Sequence, residues 1–290
     1  MTLAQFRQKI RLYSQLIRFE KPIGSYLLLW PTLWALAIAA EGQPDHWILF
    51  VFVCGVFLMR SAGCAINDFA DRDIDMHVAR TKDRPITSGG ISPKEALGIF
   101  AIFSLIAFAL VLTLNRYTIM LSVIGLLLAA TYPFMKRYHY LPQVHLGAAF
   151  GWAIPMAFAA QLDMVPKEGW LLYVANIIWS TAYDTMYGMA DREDDLKVGV
   201  KSSAILFGEY DRLAVGFLQF LFILSLLLIG HELGFTGFYY YALFVASLFL
   251  IYEQIMINKR DPDKCFEAFL HNHWVGAIVF VGIMGHYFAV

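Results

Sequence analysis

The residues of this chain with the clearest chemical potential lie in the stretch 67-NDFADRDID-75, directly after a long apolar segment. On a helix, Asp68, Asp71 and Asp75 are spaced i, i+3 and i+7 and share one face, with Asn67 four residues before Asp71. Carboxylates stacked in this way repel each other and need a compensating positive charge. Proteins typically bind Mg²⁺ through one or two carboxylates together with substrate phosphates. The spacing therefore predicts a magnesium site for a phosphorylated substrate.

A second acidic cluster repeats this arrangement in 183-YDTMYGMADREDD-195, where Asp184, Tyr187, Asp191 and Asp195 are spaced i, i+3, i+7 and i+11. One such run of charge is as consistent with a solvated helix end as with a site. Two clusters of matching spacing favour a site. Facing carboxylates bridged by Mg²⁺ can hold a diphosphate and neutralise the charge that develops as it leaves. An allylic diphosphate with an isoprenoid tail would explain a site at a membrane.

The elements that must position these clusters are membrane helices. Of the 290 residues, 59% are hydrophobic and 16% are charged, and the mean hydropathy is +0.58. A soluble chain carries about 25% charged residues. Because a helix needs about 20 apolar residues to cross a bilayer, we predict nine membrane-spanning helices, over residues 22–40, 46–66, 95–114, 117–134, 144–160, 170–188, 213–231, 236–257 and 270–289.

The charges of the loops predict the orientation of these helices. Cytoplasmic loops of membrane proteins are enriched in Lys and Arg. With nine crossings, all of the 22 Lys and Arg residues fall on one side of the membrane except Arg60, Arg116 and Lys167. We therefore predict a cytoplasmic N-terminus, an external C-terminus and acidic clusters that face the cytoplasm.

The rest of the composition predicts one membrane domain over residues 1–290. Residues 1–21 are amphipathic and basic, which indicates a cytoplasmic surface helix rather than a cleavable signal peptide. The net charge of −1 gives no indication of nucleic-acid binding. Cys54, Cys64 and Cys265 lack metal-type spacing, and their odd number argues against a disulfide framework. We expect them to be packing residues.

Arg60 differs from the other basic residues because it lies within the predicted helix 46–66. It precedes Asn67 and Asp68 by seven and eight residues and so lies on nearly their face. An ionisable residue inside the membrane is a functional candidate by default. We therefore expect Arg60 to contact a substrate.

Both acidic patterns also carry a family resemblance. The patterns N-D-x-x-D-x-x-x-D at 67–75 and Y-x-x-x-D-x-x-x-D at 187–195 resemble the paired signatures of the UbiA superfamily of intramembrane aromatic prenyltransferases. The resemblance covers nearly the whole chain. Four further stretches are similar to the members of this family that act on 4-hydroxybenzoate, namely 21-KPIGSYLLLWPTLWAL-36, 132-YPFMKR-137, 141-LPQVHLGAAFGWAIPMAFAA-160 and 201-KSSAILFG-208.

The resemblance implies an all-α membrane protein with about nine transmembrane helices around a central cavity, capped by the two acidic motifs. It implies an Mg²⁺-dependent enzyme that transfers a polyprenyl group from polyprenyl diphosphate to 4-hydroxybenzoate. The group, expected to be octaprenyl, would join the ring carbon ortho to the hydroxyl, and diphosphate would leave. This reaction belongs to ubiquinone biosynthesis. The implied location is the inner membrane of a bacterium.

The resemblance also assigns roles to single residues. The carboxylates expected to bind Mg²⁺ are Asp68, Asp71, Asp75, Asp191 and Asp195. The residues expected to be catalytic are Asp71, Asp191 and Arg137. The residues expected to bind the substrates are Asn67, Arg60, Arg137, Lys201, Tyr187, Arg72 and Lys21. Arg137 resembles a family position associated with the aromatic acid, where a guanidinium can bind a carboxylate through two hydrogen bonds.

Alternatives to these roles and to this function stay open. Lys21, Arg72, Arg84 and Lys201 could contact the diphosphate, but an ordinary role as cytoplasmic anchors explains each of them equally well. A prenyltransferase of the same superfamily could use another acceptor, of naphthoate, haem or chlorophyllide type. An ion-coupled transporter would be expected to carry acidic residues and broken helices near the middle of the membrane. The acidic clusters here lie at one face instead.

Overall fold

The structure of this chain is a computed structural model that describes residues 3–78 and 80–289, and this part of the chain is all-α. The α-helices are α1 (Leu3–Leu16), α2 (Ile23–Ala39), α3 (His46–Asp71), α4 (Pro93–Val111), α5 (Arg116–Thr131), α6 (Pro142–Gly151), α7 (Ala153–Leu162), α8 (Lys167–Val198), α9 (Ser203–Phe207), α10 (Asp211–Glu232), α11 (Gly237–Met256) and α12 (Pro262–Ala289). Short 3₁₀ helices span Asp75–His77, Tyr132–Arg137, Gly208–Tyr210 and Ile257–Lys259.

The predicted apolar segments are helical, and the chain is a multi-pass membrane protein. Six helical segments are long and apolar enough to cross a membrane: His46–Asp71, Pro93–Val111, Arg116–Arg137, Ser203–Glu232, Gly237–Lys259 and Pro262–Ala289. Helix α2 is apolar but has 17 residues. The predicted segment 144–160 is divided at Trp152 into α6 and α7. The number of nine crossings therefore stays a prediction.

Helix α8 is longer than a membrane crossing requires. Its 32 residues correspond to about 48 Å at 1.5 Å per residue, against a hydrocarbon core about 30 Å thick. The helix ends where Gly199 adopts the left-handed conformation, with φ of 74°. The span predicted at residues 170–188 ends before the last turns of α8, and these turns carry Asp191 and Asp195. We call the end of the bundle where these residues lie the motif end.

Stacked aromatic rings hold the centre of the bundle together. The rings of Trp34 and Trp179 lie 5.3 Å apart, and Trp179 stacks on Phe222 at 5.4 Å. The indole of Trp34 donates a hydrogen bond of 3.0 Å to the carbonyl of Gly276, and that of Trp179 donates one of 2.8 Å to Asn272. Buried indole N–H groups need such partners. These contacts join α2, α8, α10 and α12 into a frame that fixes α8.

A small apolar cluster secures the motif end. Leu16 of α1, Ala65 of α3 and Ala96 of α4 are buried against Ile86 and Ile91. The two isoleucines belong to the connection between α3 and α4, residues 72–92, which we call the motif loop. The loop ends at Ser92, whose side chain forms a capping box with Glu95 and starts α4. The loop is thereby held across the end of α3.

Candidate active site

The carboxylates of the first motif lie close together, but one of them is not on the predicted helix. Asp68 and Asp71 are 1% and 2% exposed in the last turn of α3. The prediction that this helix continues to Asp75 is wrong, because α3 ends at Asp71 and Asp75 begins a 3₁₀ helix. The guanidinium of Arg84 nevertheless lies 3.2 Å from Asp68 and 2.8 Å from Asp75. One cation therefore joins the two carboxylates.

Further basic side chains neutralise this motif. Arg18 lies 2.7 Å from Asp68, and Lys136 lies 2.6 Å from Asp71. The amide of Asn67 donates a hydrogen bond of 3.1 Å to Asp71. Such pairing makes buried carboxylates tolerable, because an unpaired buried charge is very costly.

Arg84 of the motif loop shows how strongly the charges interact. Burial alone would lower its pKa, but the negative charge of Asp68, with that of Asp75, outweighs burial and raises the pKa of this guanidinium above its ordinary value. Arg84 is therefore a permanent cation at this site.

The first motif keeps free acceptor atoms. Oδ2 of Asp68 and Oδ1 of Asp71 are buried and have no hydrogen-bond partner among the residues that the structure describes. Buried polar atoms are nearly always bonded, so an exception calls for an explanation such as an absent ion. Carboxylate oxygens are the ligands that Mg²⁺ prefers. The two oxygens therefore fit a site for Mg²⁺ bound together with a diphosphate.

The second motif faces the first across the motif loop. The guanidinium of Arg80 pairs with both oxygens of Asp191, donates to the hydroxyl of Tyr187 and lies 4.4 Å from the centre of the Tyr187 ring. Four residues later the same loop places Arg84 against Asp68. Two arginines of one loop thus contact both motifs.

Repulsion within the second motif is visible at Asp195. Burial, followed by the neighbouring charge of Asp191, raises the pKa of the Asp195 carboxyl to about 7. Asp195 lies in the last turns of α8, beyond the predicted span 170–188. A cation between Asp191 and Asp195 would relieve this repulsion and favour the ionised form of both.

An apolar cavity of about 440 Å³ leads along α3 towards the first motif. Its walls come from α2 to α7, and they include Leu105 and Val123, which are also exposed on the outside of the bundle. The cavity therefore opens towards lipid. On α3 the lining residues Arg60 and Gly63 are spaced i and i+3, and Asn67 and Asp71 continue the row at i+7 and i+11. One helix face thus connects the cavity with the motif.

Arg60 is the basic side chain of this cavity. Its guanidinium donates a hydrogen bond to the sulfur of Cys64, while its Nε atom is buried without a partner among the described residues. A Cβ atom added to Gly24 would lie 2.5 Å from an Nη atom of Arg60. Gly24 of α2 therefore leaves room for the guanidinium. Arg60 thus lies on the cavity side of α3, within the candidate membrane span His46–Asp71.

A comparison with known protein families decides which family this geometry belongs to. The model of the UbiA prenyltransferase family matches residues 28–280. The chain belongs to this family.

Relatives in this UbiA family resemble the chain over nearly their full length. A 4-hydroxybenzoate octaprenyltransferase of Photobacterium profundum is 57% identical over 275 residues, which are 95% of this chain and 96% of the relative. One of Hahella chejuensis is 58% identical over 282 residues, which are 97% of this chain and 93% of the relative.

Solved structures share the fold of this UbiA family member. The apo structure of a UbiA homologue from Aeropyrum pernix K1 has a TM-score of 0.79 and 27% identity, and the alignment covers 90% of this chain and 97% of the homologue. A UbiA homologue from Archaeoglobus fulgidus, bound to GPP and Mg²⁺, has a TM-score of 0.73 and 15% identity, with coverage of 96% and 100%. The all-α fold predicted from the sequence is thereby confirmed.

The carboxylates of this UbiA family member are arranged in ion pairs. Within residues 3–78 and 80–289, no three His, Cys, Asp or Glu side chains form a ready-made cluster for a metal ion. The carboxylates are paired with cations instead, Asp68 with Arg18, Asp75 with Arg84, Asp71 with Lys136 and Asp191 with Arg80. Mg²⁺ needs only one or two of them when phosphates supply further ligands. The donor set therefore fits an ion that arrives with a diphosphate.

Four other basic residues from the sequence analysis lie around the motifs. Arg137 donates a hydrogen bond to the carbonyl of Ala70 and lies over the ring of Phe134. Arg72 pairs with Asp73 and the carbonyl of Phe69, and Lys201 donates to the carbonyl of Tyr138, whereas Lys21 is exposed. These four cations therefore border the motif end, and their partners are mainly backbone carbonyls.

Sequence reasoning gave no role to Arg18, Arg80 and Lys136, which contact motif carboxylates directly. Their only signal was their share in the excess of positive charge on one side of the membrane. That excess is expected for any membrane protein, and it does not distinguish an anchor from a site residue. Contact with these carboxylates is visible only once the helices and the motif loop are packed.

Proposed function

We propose that this chain transfers a polyprenyl group, octaprenyl as in its relatives' names, from polyprenyl diphosphate to 4-hydroxybenzoate. The new bond joins the prenyl C1 atom to the ring carbon ortho to the hydroxyl, and diphosphate leaves. The observation that carries the proposal is the row from the lipid-facing apolar cavity through Arg60 and Asn67 to the buried carboxylate of Asp71. It joins a place for an isoprenoid tail to a place for its charged head.

The charged head binds between the two motifs in this proposal. Asp68, Asp71 and Asp75 of the first motif and Asp191 and Asp195 of the second hold Mg²⁺. When bound, Mg²⁺ neutralises the charge that develops on the departing diphosphate. Asn67 and Tyr187 supply hydrogen bonds, and Arg80 and Arg84, released from the carboxylates, pair with phosphate oxygens. Lys21, Arg72 and Lys201 lie at the border of this site and supply further positive charge.

The apolar cavity serves the reactive carbon. Loss of diphosphate breaks the C1–O bond and leaves a positive charge on the allylic group. The cavity walls exclude water, which would otherwise capture this charge, and the aromatic faces of Phe52, Tyr132 and Phe150 can stabilise it. The electron-rich ring then forms the new carbon–carbon bond, and its ring proton passes to an oxygen of the released diphosphate.

The aromatic acid needs a cation for its carboxylate, and the geometry favours Arg60 over Arg137 for this contact. Arg60 lines the cavity and keeps a buried Nε atom without a partner among the described residues. Arg137 instead donates to the carbonyl of Ala70, next to Asp71. We assign Arg137 to the catalytic surroundings of the first motif, where it holds the end of α3.

The proposal includes a location and an orientation. The chain is placed as a single domain in the inner membrane of a bacterium, with its N-terminus and motif end in the cytoplasm. The excess of Lys and Arg at the motif end supports this orientation. Water-soluble diphosphate and 4-hydroxybenzoate would then exchange directly with the cytoplasm.

The proposed function is tested with purified protein in lipid vesicles and radiolabelled octaprenyl diphosphate. A panel of acceptors, with 4-hydroxybenzoate beside a hydroxynaphthoate and a porphyrin, should give a labelled product with 4-hydroxybenzoate alone. Prenylation of another panel member would support the alternative acceptor. Uptake of substrate into the vesicles without any covalent product would support the transporter instead.

A further inference from the structure

Helix α1 carries an apolar stripe that points away from the protein. Leu3, Phe6 and Ile10 are spaced i, i+3 and i+7 on one face, and they are 69%, 48% and 52% exposed. Arg7 and Arg11 border this stripe on its exposed side. A helix with an apolar face next to arginines is typical of segments that lie in the interface of an anionic membrane.

The contacts of α1 define its position relative to the membrane boundary. Lys9 and Tyr13 bind Glu95, at 2.7 Å and 2.8 Å, in the first turn of the membrane-spanning α4. Leu16 packs against Ala65 near the end of α3. Because both partners lie where spanning helices leave the membrane, α1 lies along the boundary itself. Its apolar stripe therefore meets lipid, and its arginines meet phosphate headgroups.

The second residue after α1 has an unusual backbone. Arg18 adopts a left-handed conformation, with φ of 56°. Its N–H bonds to Gln15 O at 3.1 Å, and the next N–H bonds to Ser14 O at 3.0 Å. This is the helix ending in which glycine is the usual residue, because a side chain is strained there. A non-glycine residue held in such a conformation points to a role for its side chain.

The side chain of Arg18 reaches the first acidic motif. One Nη atom donates to the carbonyl of Gln15 at 2.8 Å, and the other donates to Asp68 at 2.7 Å. Asp68 also pairs with Arg84 and keeps one oxygen without a partner among the described residues. The end of α1 thus fixes the orientation of a carboxylate in the candidate site.

From these observations we propose that α1 is a membrane-seated arm that holds Arg18 against Asp68. The lipid leaflet at the motif end binds the stripe of Leu3, Phe6 and Ile10, and this contact with lipid places Arg18. Arg18 is a positioning residue, because it acts through Asp68. The positioning role rests on the proposed function, whereas the lipid contact does not depend on it.

The lipid contact is tested on the full chain in vesicles of phosphatidylethanolamine and phosphatidylglycerol, without any assay of turnover. In a cysteine-free background, nitroxide labels are placed at Ile10→Cys and, as a control on the polar face, at Gln8→Cys. Collisions with oxygen, which enters lipid, should dominate at position 10, and collisions with a water-soluble nickel chelate should dominate at position 8. If collisions with the nickel chelate dominate at position 10, or if the label is shielded from both reagents, α1 does not lie in lipid. Shielding from both reagents would indicate a protein partner.

The positioning role is tested with Arg18→Gly, which suits the left-handed backbone but removes the cation. Binding of inorganic diphosphate with Mg²⁺, measured by calorimetry, should weaken about tenfold or more, on the scale of a lost charge-assisted contact. Arg18→Lys should restore part of this loss. Asp163→Gly is the matched control, because Asp163 has the same backbone conformation, with φ of 55°, at the other end of the bundle.

The double variant Phe6→Ser/Ile10→Ser connects the two parts of the proposal. Like Arg18→Gly, it should weaken diphosphate binding in vesicles. When the double variant is combined with Arg18→Gly, binding should be little weaker than in Arg18→Gly alone. Unchanged binding in Arg18→Gly overturns the positioning role. If no variant and not even the native chain binds diphosphate while the label at position 10 still contacts lipid, the proposed function fails and the seating stands.

Discussion

The ammonium group of Lys136 lies 2.6 Å from the carboxylate of Asp71. Lys136 belongs to the 3₁₀ helix after α5, and Asp71 is the last residue of α3, so the pair joins two elements at the motif end. Asp71 is almost fully buried. A buried carboxylate without a partner keeps the cost of its lost hydration. The pair therefore contributes to stability as well as to the site.

Replacement of Lys136 by Gln should destabilise the protein, because it removes the cation that pairs with the buried carboxylate of Asp71. The expected loss is about 3 kcal/mol, on the scale of a broken buried ion pair, and it is measured as a lower midpoint of thermal unfolding in detergent. Lys136→Gln/Asp71→Asn should recover most of the loss. Lys197→Gln removes an exposed pair with Asp194 and should cost less than about 1 kcal/mol. Equal losses for Lys136→Gln and Lys197→Gln would contradict this account.

Asp71→Asn and Asp191→Asn should each reduce turnover by about 10²-fold or more, the scale of lost charge stabilisation. If both motifs hold one diphosphate, removing either disables the set, and the double variant should be little worse than a single one. A chelator of Mg²⁺ should have the same effect as either variant. Asp73→Asn is the control, since Asp73 is exposed next to the motif. Clean multiplication of the two defects, or full activity with the chelator, argues that the motifs act separately.

Arg60→Ala should raise the KM for 4-hydroxybenzoate about tenfold or more, on the scale of a lost charged hydrogen bond, with a smaller change for the prenyl diphosphate. Steady-state kinetics with each substrate varied in turn measure both values. Gly24→Ala should cause a milder form of the same defect, because its Cβ would displace the guanidinium. Arg137→Ala should affect both substrates alike. The reverse order, with Arg137→Ala selective for the aromatic acid, would assign the carboxylate to Arg137.

Cysteine labelling should show the motif end in the cytoplasm. Thr81 is unsuitable for this experiment, since it is buried and its hydroxyl donates to the carbonyl of Asp75. Lys82→Cys is exposed in the motif loop, and Gln43→Cys is exposed at the opposite end. In a cysteine-free background, an impermeant maleimide should label Lys82→Cys in inverted vesicles and Gln43→Cys in intact cells with a permeable outer membrane. The opposite pattern reverses the orientation.

The features that the sequence predicts are those set by the length of apolar runs and by the periodicity of a helix. Apolar runs mark the membrane helices, since a bilayer fixes their length. The matched spacing of Asp191 and Asp195 with Asp68 and Asp71 predicts that the motifs act together, because helical periodicity turns spacing into a shared face. The placement of Arg60 towards the cavity follows from the same periodicity. These predictions depend on nothing beyond the local geometry of a helix.

The remaining features depend on packing between distant segments. No Gly or Pro marks the end of α3 at Asp71, so the usual signals of a helix end are missing and the sequence predicts Asp75 on the wrong element. Arg80 and Arg84 lie in a loop without periodicity. Arg18 occupies a position where glycine is usual. Their roles follow from three-dimensional contacts that one sequence does not reveal.

In the proposed function, the ion pairs of Arg80 with Asp191 and of Arg84 with Asp68 would compete with diphosphate for the two arginines. A diphosphate that enters has to exchange them for its own contacts, and this exchange lowers its affinity by the free energy of the pairs. The pairs lower the affinity for the diphosphate that remains after the prenyl transfer by the same free energy. Re-formation of the pairs then favours its departure. Product inhibition is thereby weakened by residues that contact no reacting carbon.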